Sequence, residues 1–318
     1  MNPALLLAVP FAAALATPQP VPQPTPDPVA QQSVQQNPAE QLAFVSDGLR
    51  MTVPVTIGPA GPYRFVVDTG AERTVISREL AGTLGLAPGR SVHVTAMAGS
   101  AQFATVVIPD IKIGSPNTGA RLIGTRIEAP AFIANNLGAA GLIGIDTLQG
   151  HAVSIDFVQQ LMTVTPSTKR TRTERFGPDD IVIRARNLFG QLVVTDATYR
   201  GRKVRVVIDT GADTSMGNMA LRKLAAPGGK GTTPLALLSV TGAMLQTDYT
   251  LLDRVQIGDI SLASLPVAFA DAAPFGRLGL SDRPALLLGM DALRLFGRVR
   301  IDFANREVRL AQPKRAER

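Results

Sequence analysis

The chain has no cysteine among its 318 residues, which removes thiol nucleophiles, disulfide staples and a lipid-modified amino-terminal Cys. Histidine is nearly absent. With only His93 and His151, and no HExxH pattern, the sequence argues against a zinc hydrolase. The G-x-S-x-G elbow of serine hydrolases is also missing. Aromatic residues make up 5% of the chain and no nucleic-acid recognition motif is visible, so a nucleic-acid partner gains no support. Charged residues, at 18%, are too few for a disordered protein, while a hydrophobic fraction of 45% supplies a core. Long helical patterns are lacking. Short stretches rich in valine, isoleucine, threonine and glycine point instead to an all-β chain. Carboxylate chemistry without metal or cofactor is what remains.

The main positive signal is an internal repeat. Residues 63–71, Tyr-Arg-Phe-Val-Val-Asp-Thr-Gly-Ala, reappear at 204–212 as Val-Arg-Val-Val-Ile-Asp-Thr-Gly-Ala. Each copy follows a strand-like segment and a turn rich in Gly, Pro or Arg, the composition of a hairpin. Further on, Gly-Leu-Ile-Gly-Ile-Asp-Thr-Leu at 141–148 corresponds to Leu-Leu-Leu-Gly-Met-Asp-Ala-Leu at 286–293. A closing strand follows each, at 153–157 and 299–303. Landmarks in one order at nearly constant offset mean two copies of one unit. Within each unit, Ser77 and Asn218 are expected to cap a short helix, and a second short helix is expected to begin at Asp146 and at Asp291, capped by those carboxylates. Hairpins are expected around residues 97–100 and 241–243. Asp156 and Asp302 are expected on strands, facing solvent or paired with arginine. His93 and His151 read as polar strand or loop residues.

Five boundaries follow. Residues 1–16 read as an export signal, an apolar run ending in Ala14-Leu15-Ala16 and too short to span a membrane. That implies a periplasmic or extracellular protein. Residues 17–43 are rich in Pro and Gln and read as a disordered spacer. Two lobes are placed at 44–165 and 179–312, joined by a basic linker at 166–178 and followed by a tail at 313–318. From residue 169 to 205 there are ten basic and four acidic residues within a chain of net charge +7. This suggests weak contact with an anionic envelope surface, or simply a solvated basic linker.

Asp-Thr-Gly directly after an apolar strand carries a carboxylate out of a segment that should be buried, which is costly unless the charge is partnered. One such motif is an ordinary turn signal; two at equivalent points of a repeat are not. The paired Asp-Thr-Gly-Ala motifs and the later Gly-Leu-Ile-Gly and Leu-Leu-Leu-Gly segments resemble the retropepsin-like aspartic proteases. The likeness is to exported bacterial members with both lobes on one chain, and it spans about residues 44–310. That resemblance implies a two-lobed all-β fold with pseudo-twofold symmetry, and Asp68 and Asp209 as a catalytic dyad sharing one proton, the established behaviour of such pairs. It further implies Thr69, Gly70, Ala71, Thr210, Gly211 and Ala212 as the supporting loops. The threonines would exchange hydrogen bonds between lobes. Met97, Ala98, Gly99, Thr241 and Gly242 would be flap residues closing on an extended peptide or protein substrate. With both motifs on one chain, a monomer suffices. The rival expectation is a silent peptide-binding or envelope module that keeps the fold.

Overall fold

Apolar alternation builds the walls of the first half. In the computed structural model, which describes residues 41–43, 45–47, 50–114, 121–169, 180–188 and 190–312, the strand Arg50–Ile57 turns Met51, Val53, Val55 and Ile57 into the core. The following strand, Ala60–Val67, goes from exposed to buried along its length and ends in Phe65, Val66 and Val67, all buried. It thus points into the protein where Asp68 begins. The seven strands of this half run 45–47, 50–57, 60–67, 141–143, 75–77, 121–132, 105–113, and a further pairing of 50–57 with 105–113 closes them into a barrel.

The second half repeats the plan. Arg202–Ile208 buries Val204, Val206, Val207 and Ile208 on both faces. It is flanked by Gln191–Tyr199 on one side and, in parallel, by Ala285–Leu288 on the other. Closure comes from the pairing of Gln191–Tyr199 with Met244–Ile257. The same parallel neighbour occurs in the first half, where Gly141–Ile143 runs beside Phe65, Val66 and Val67. A strand with neighbours on both edges and apolar residues on both faces has its end fixed firmly, as a catalytic residue requires.

Both halves contribute to one further set of strands. Gln41–Ala43, Leu161–Pro166 and His151–Asp156 from the first join Arg298–Asp302, Glu307–Ala311 and Asp180–Leu188 from the second. The seam is the antiparallel pairing of His151–Asp156 with Arg298–Asp302, in which Val153 lies opposite Ile301 and Ile155 opposite Val299. All four side chains are fully buried, so the two closing strands of the repeat meet each other. One hydrophobic cluster runs from Met51 and Ile76 through this seam to Leu286 and Leu310.

Ser77 and Asn218 cap their helices, Arg78–Thr83 and Met219–Ala225, by accepting from Leu80 N and Leu221 N. The second pair of helices corrects the expectation. Ile145–Leu148 and Met290–Leu293 start one residue before the aspartates, with Gly144 and Gly289 at their caps and no side-chain cap bond. The Asp146 carboxylate instead takes the amide and the hydroxyl of Thr74, each at 2.8 Å. Asp291 takes those of Ser215 at 2.9 and 2.6 Å. These carboxylates anchor the chain six residues past each Asp-Thr-Gly aspartate.

Asp156 pairs with Arg298 at 3.1 Å. Asp302 also pairs with an arginine, Arg300 at 3.8 Å, rather than facing solvent: it is 2% exposed and is held as well by Ser167 and Asn305. The spacer boundary at residue 43 is also corrected, because Gln41–Ala43 forms a strand paired with Leu161–Pro166. The chain divides into units at Pro38 and Ala39, and the described residues fall in the second. The apolar run 1–16, the rest of the spacer, most of the linker and the tail lie outside the described residues. No helix among the described residues is long and apolar enough to cross a membrane.

Candidate active site

The two parallel strand pairs end at one place. Asp68 N donates to Ile143 O and Asp209 N to Leu288 O, each at 3.0 Å, so each aspartate is held by its neighbouring strand. The chain then turns sharply. Asp68 Oδ1 accepts from Gly70 N at 2.8 Å and Ala71 N at 2.9 Å. Asp209 Oδ1 accepts from Gly211 N at 3.0 Å and Ala212 N at 3.2 Å. Backbone amides that converge on one oxygen favour the ionised form and fix the other oxygen's direction.

The threonines lock the loops to each other. Thr69 N donates to Thr210 Oγ1 and Thr210 N to Thr69 Oγ1, both at 3.1 Å. Each hydroxyl then donates across the interface, Thr69 to Ile208 O at 2.9 Å and Thr210 to Val67 O at 2.7 Å. Thr69 and Thr210 are 2% and 0% exposed, so these bonds satisfy groups that water does not reach. Glycine is required at the next position of each loop for space. A Cβ on Gly70 would lie 2.5 Å from Asp209 Cγ, and one on Gly211 would lie 2.1 Å from Asp68 Cγ. Each carboxyl group therefore rests against the other lobe's glycine.

The dyad is symmetric in its backbone and unequal in its environment. Asp209 is 7% exposed and Asp68 is half-buried. Burial above all, then the negative charge of Asp68 and the hydrogen bond shared with it, push the Asp209 carboxyl up to about 8, against the pull of Gly211 N and Ala212 N. The raised carboxyl means that the pair holds a proton at neutral pH and titrates as a unit.

A cavity of about 500 Å³ opens over the dyad. Its walls include Val94, Ala96 and Met97 from the hairpin of Val92–Ala96 and Gly99–Phe103, and Leu237, Val240 and Leu245 from the second hairpin. Of the five expected flap residues, Met97 lines it. Ala98, Gly99, Thr241 and Gly242 do not; at the tips the lining comes from Met97, Ser239 and Val240. Each hairpin reaches the opposite lobe. Met97 packs against the second lobe's buried cluster of Val207, Met216, Phe275 and Leu287 among others, and its carbonyl accepts from Ala273 N at 3.3 Å. Val240 packs against the first lobe's buried cluster of Val66, Val75, Phe132, Leu137 and Leu142.

Several cavity residues were not singled out from the sequence. Gln191, 6% exposed, donates from Nε2 to the Gly70 carbonyl. Glu72 and Arg73 follow directly on the first motif, and Arg277 arrives from the second lobe. The available signal was the two positions after each Asp-Thr-Gly-Ala; nothing in the sequence marks Gln191 or Arg277. His93 lies on the first hairpin and lines the cavity, while His151 starts a strand elsewhere. Among the described residues no group of three or more His, Cys, Asp or Glu is arranged to hold a metal.

Comparison with known families agrees with this geometry. Residues 53–150 match the family model described as gag-polyprotein putative aspartyl protease, and residues 195–292 match the one described as aspartyl protease. The chain belongs to the retropepsin-like aspartic proteases. Each match spans one repeat and includes one Asp-Thr-Gly-Ala motif, so the family signature is present twice. Among solved structures the chain is similar to a retropepsin-like aspartic protease from Rickettsia conorii, at 22% identity. That match covers 42% of this chain and 90% of the other, with a TM-score of 0.32. No curated protein sequence matches.

Proposed function

We propose that this aspartic protease is an active endopeptidase that hydrolyses peptide bonds of an extended peptide or protein, with Asp68 as general base and Asp209 as general acid. The observation that carries the reading is the unequal dyad: two carboxyls facing each other, of which the more buried, Asp209, is pushed up to about 8. Asp68 takes a proton from a water as that water's oxygen bonds to the scissile carbonyl carbon. Asp209 gives its proton to the carbonyl oxygen, so a neutral tetrahedral diol forms. On collapse, the proton gained by Asp68 passes to the leaving nitrogen while a diol hydroxyl returns its proton to Asp209. The C–N bond breaks, leaving a carboxylic acid and an amine, and the dyad is restored with one proton. Neither metal nor cofactor enters these steps.

Retention of both aspartates, both threonines and both crowded glycines supports activity over a silent binding module, since a binding cleft alone requires none of them. The covalent linkage of both motifs supports action as a monomer. Export to the periplasm or medium is proposed on the apolar run at residues 4–16. The test is cleavage of a peptide library read by mass spectrometry from pH 3 to 8, with Asp68→Asn as control. General acid–base catalysis contributes roughly 10²–10⁴-fold, and the control should lose at least that. Equal cleavage by both proteins would overturn the assignment of Asp68. A folded wild type that binds peptides and cleaves none would support the binding module.

A further inference from the structure

The cleft is far less symmetric in charge than in backbone. The two residues after the first Asp-Thr-Gly-Ala are Glu72 and Arg73; after the second they are Asp213 and Thr214. The helices Ala134–Leu137 and Ala273–Arg277 occupy matching places in the two lobes, and each leads to a left-handed glycine, Gly138 at φ 65° and Gly279 at φ 66°. Two residues before those glycines stand Asn136 and Arg277. Arg277 crosses to the first lobe and pairs with both oxygens of Glu72, Nε to Oε1 at 3.0 Å and Nη2 to Oε2 at 3.3 Å. Asn136 lies instead against the tip of the second hairpin, where a Cβ on Gly242 would fall 2.7 Å from Nδ2.

Both arginines that line the cavity are tied to the first lobe's loop, Arg73 by sequence and Arg277 by its pair with Glu72, while the second lobe's loop contributes Asp213 and Thr214. Arg277 neutralises Glu72. Arg73 lines the cavity, is exposed and makes no ion pair among the described residues. Its charge is left over, and the carboxylate next to it in sequence is already neutralised.

We propose that Arg73 is a specificity-determining residue that selects an acidic side chain in the substrate, on one side only of the scissile bond. This rests on the peptidase reading above. The Glu72–Arg277 pair acts as a positioning element: it keeps Glu72 from competing for Arg73. A partly exposed ion pair is worth little, so an acidic residue at the responsive position raises kcat/KM roughly two- to five-fold over a neutral one. The advantage shrinks as salt rises, because the pair is screened.

The experiment compares peptides that differ by Glu, Gln or Lys at each position on either side of one cleaved bond. Each is measured against the Gln peptide with the same protein, so the ratio is independent of how much enzyme folds. The expected result is a Glu preference at one position, reversed towards Lys in Arg73→Glu, kept in Arg73→Lys and weakened in Arg277→Gln. Equal ratios for Glu, Gln and Lys, a preference on both sides, or a preference unchanged in Arg73→Glu would overturn the inference while leaving the peptidase intact. Fluorescence anisotropy of the same peptides bound to Asp68→Asn reads the preference without turnover. Absence of Asp68-dependent cleavage with a Glu preference retained there would overturn the peptidase reading alone.

Discussion

The two dyad loops are near copies in hydrogen bonding and different in surroundings. Asp68 and Asp209 each accept from the amides two and three residues on, and each rests against the other lobe's glycine. Yet Asp209 is nearly sealed from water, while Asp68 is half-buried. The comparison teaches that repeat symmetry brings the carboxyls together while packing leaves their surroundings unequal. Two like charges in one site cannot both ionise easily, so the pair keeps a proton that titrates with both carboxyls as a unit.

The sharpest way to test that difference is through stability against pH. Asp209 has its pKa raised on folding, from the ordinary carboxylate range to about 8. Between those values the folded chain holds a proton that the unfolded chain has released, so stability falls as pH rises from about 4 to about 8. Denaturation in urea across this range should show the slope in the wild type and lose it in Asp209→Asn. In Asp68→Asn a smaller slope should persist, because burial, which that variant leaves in place, is the leading cause. Equal slopes in the two variants would break the comparison.

A smaller effect, and a symmetric one, is expected from crowding. Gly70→Ala and Gly211→Ala each drive a methyl into the opposite carboxyl, and overpacking of this kind costs ~1–3 kcal/mol. Cleavage should fall in both, along with the denaturation midpoint. A variant that kept full activity would show that the lobes can part without harm. The threonines give an expected change of similar size. Thr69→Val and Thr210→Val each remove a donated bond and strip the partner threonine's amide of its acceptor, a loss of ~1–3 kcal/mol. Differential scanning calorimetry should find the two losses equal within error, since the grip is the same seen from either lobe.

Much of this was legible in the sequence because it follows from local pattern. The repeat of Val-Val-Asp-Thr-Gly-Ala as Val-Ile-Asp-Thr-Gly-Ala exposes the pseudo-twofold plan, and the caps at Ser77 and Asn218 are set by residues within three positions of the bond they make. Asp146 and Asp291 misled for the same reason. An aspartate before an apolar helix reads as a cap, and only the tertiary return of Thr74 and Ser215, 72 and 76 residues away in the chain, gives them other partners. The strand Gln41–Ala43 was hidden because its partner lies more than a hundred residues on, at Leu161–Pro166. Gln191 and Arg277 belong to the same class: their contacts, with Gly70 and Glu72, span 121 and 205 residues. The hairpins were placed correctly, but which of their residues face the cavity depends on how they lean across the dyad.

The most direct test of the account is the pH dependence of kcat/KM for one cleaved peptide, with Asp68→Asn as control. The account predicts a bell-shaped profile that requires one proton on the pair and has its upper limb near pH 8, set by the dyad as a unit. Asp68→Asn should be flat and near background throughout. An upper limb close to pH 4 would contradict the sealed, proton-holding Asp209, and cleavage equal in the control would contradict the dyad itself.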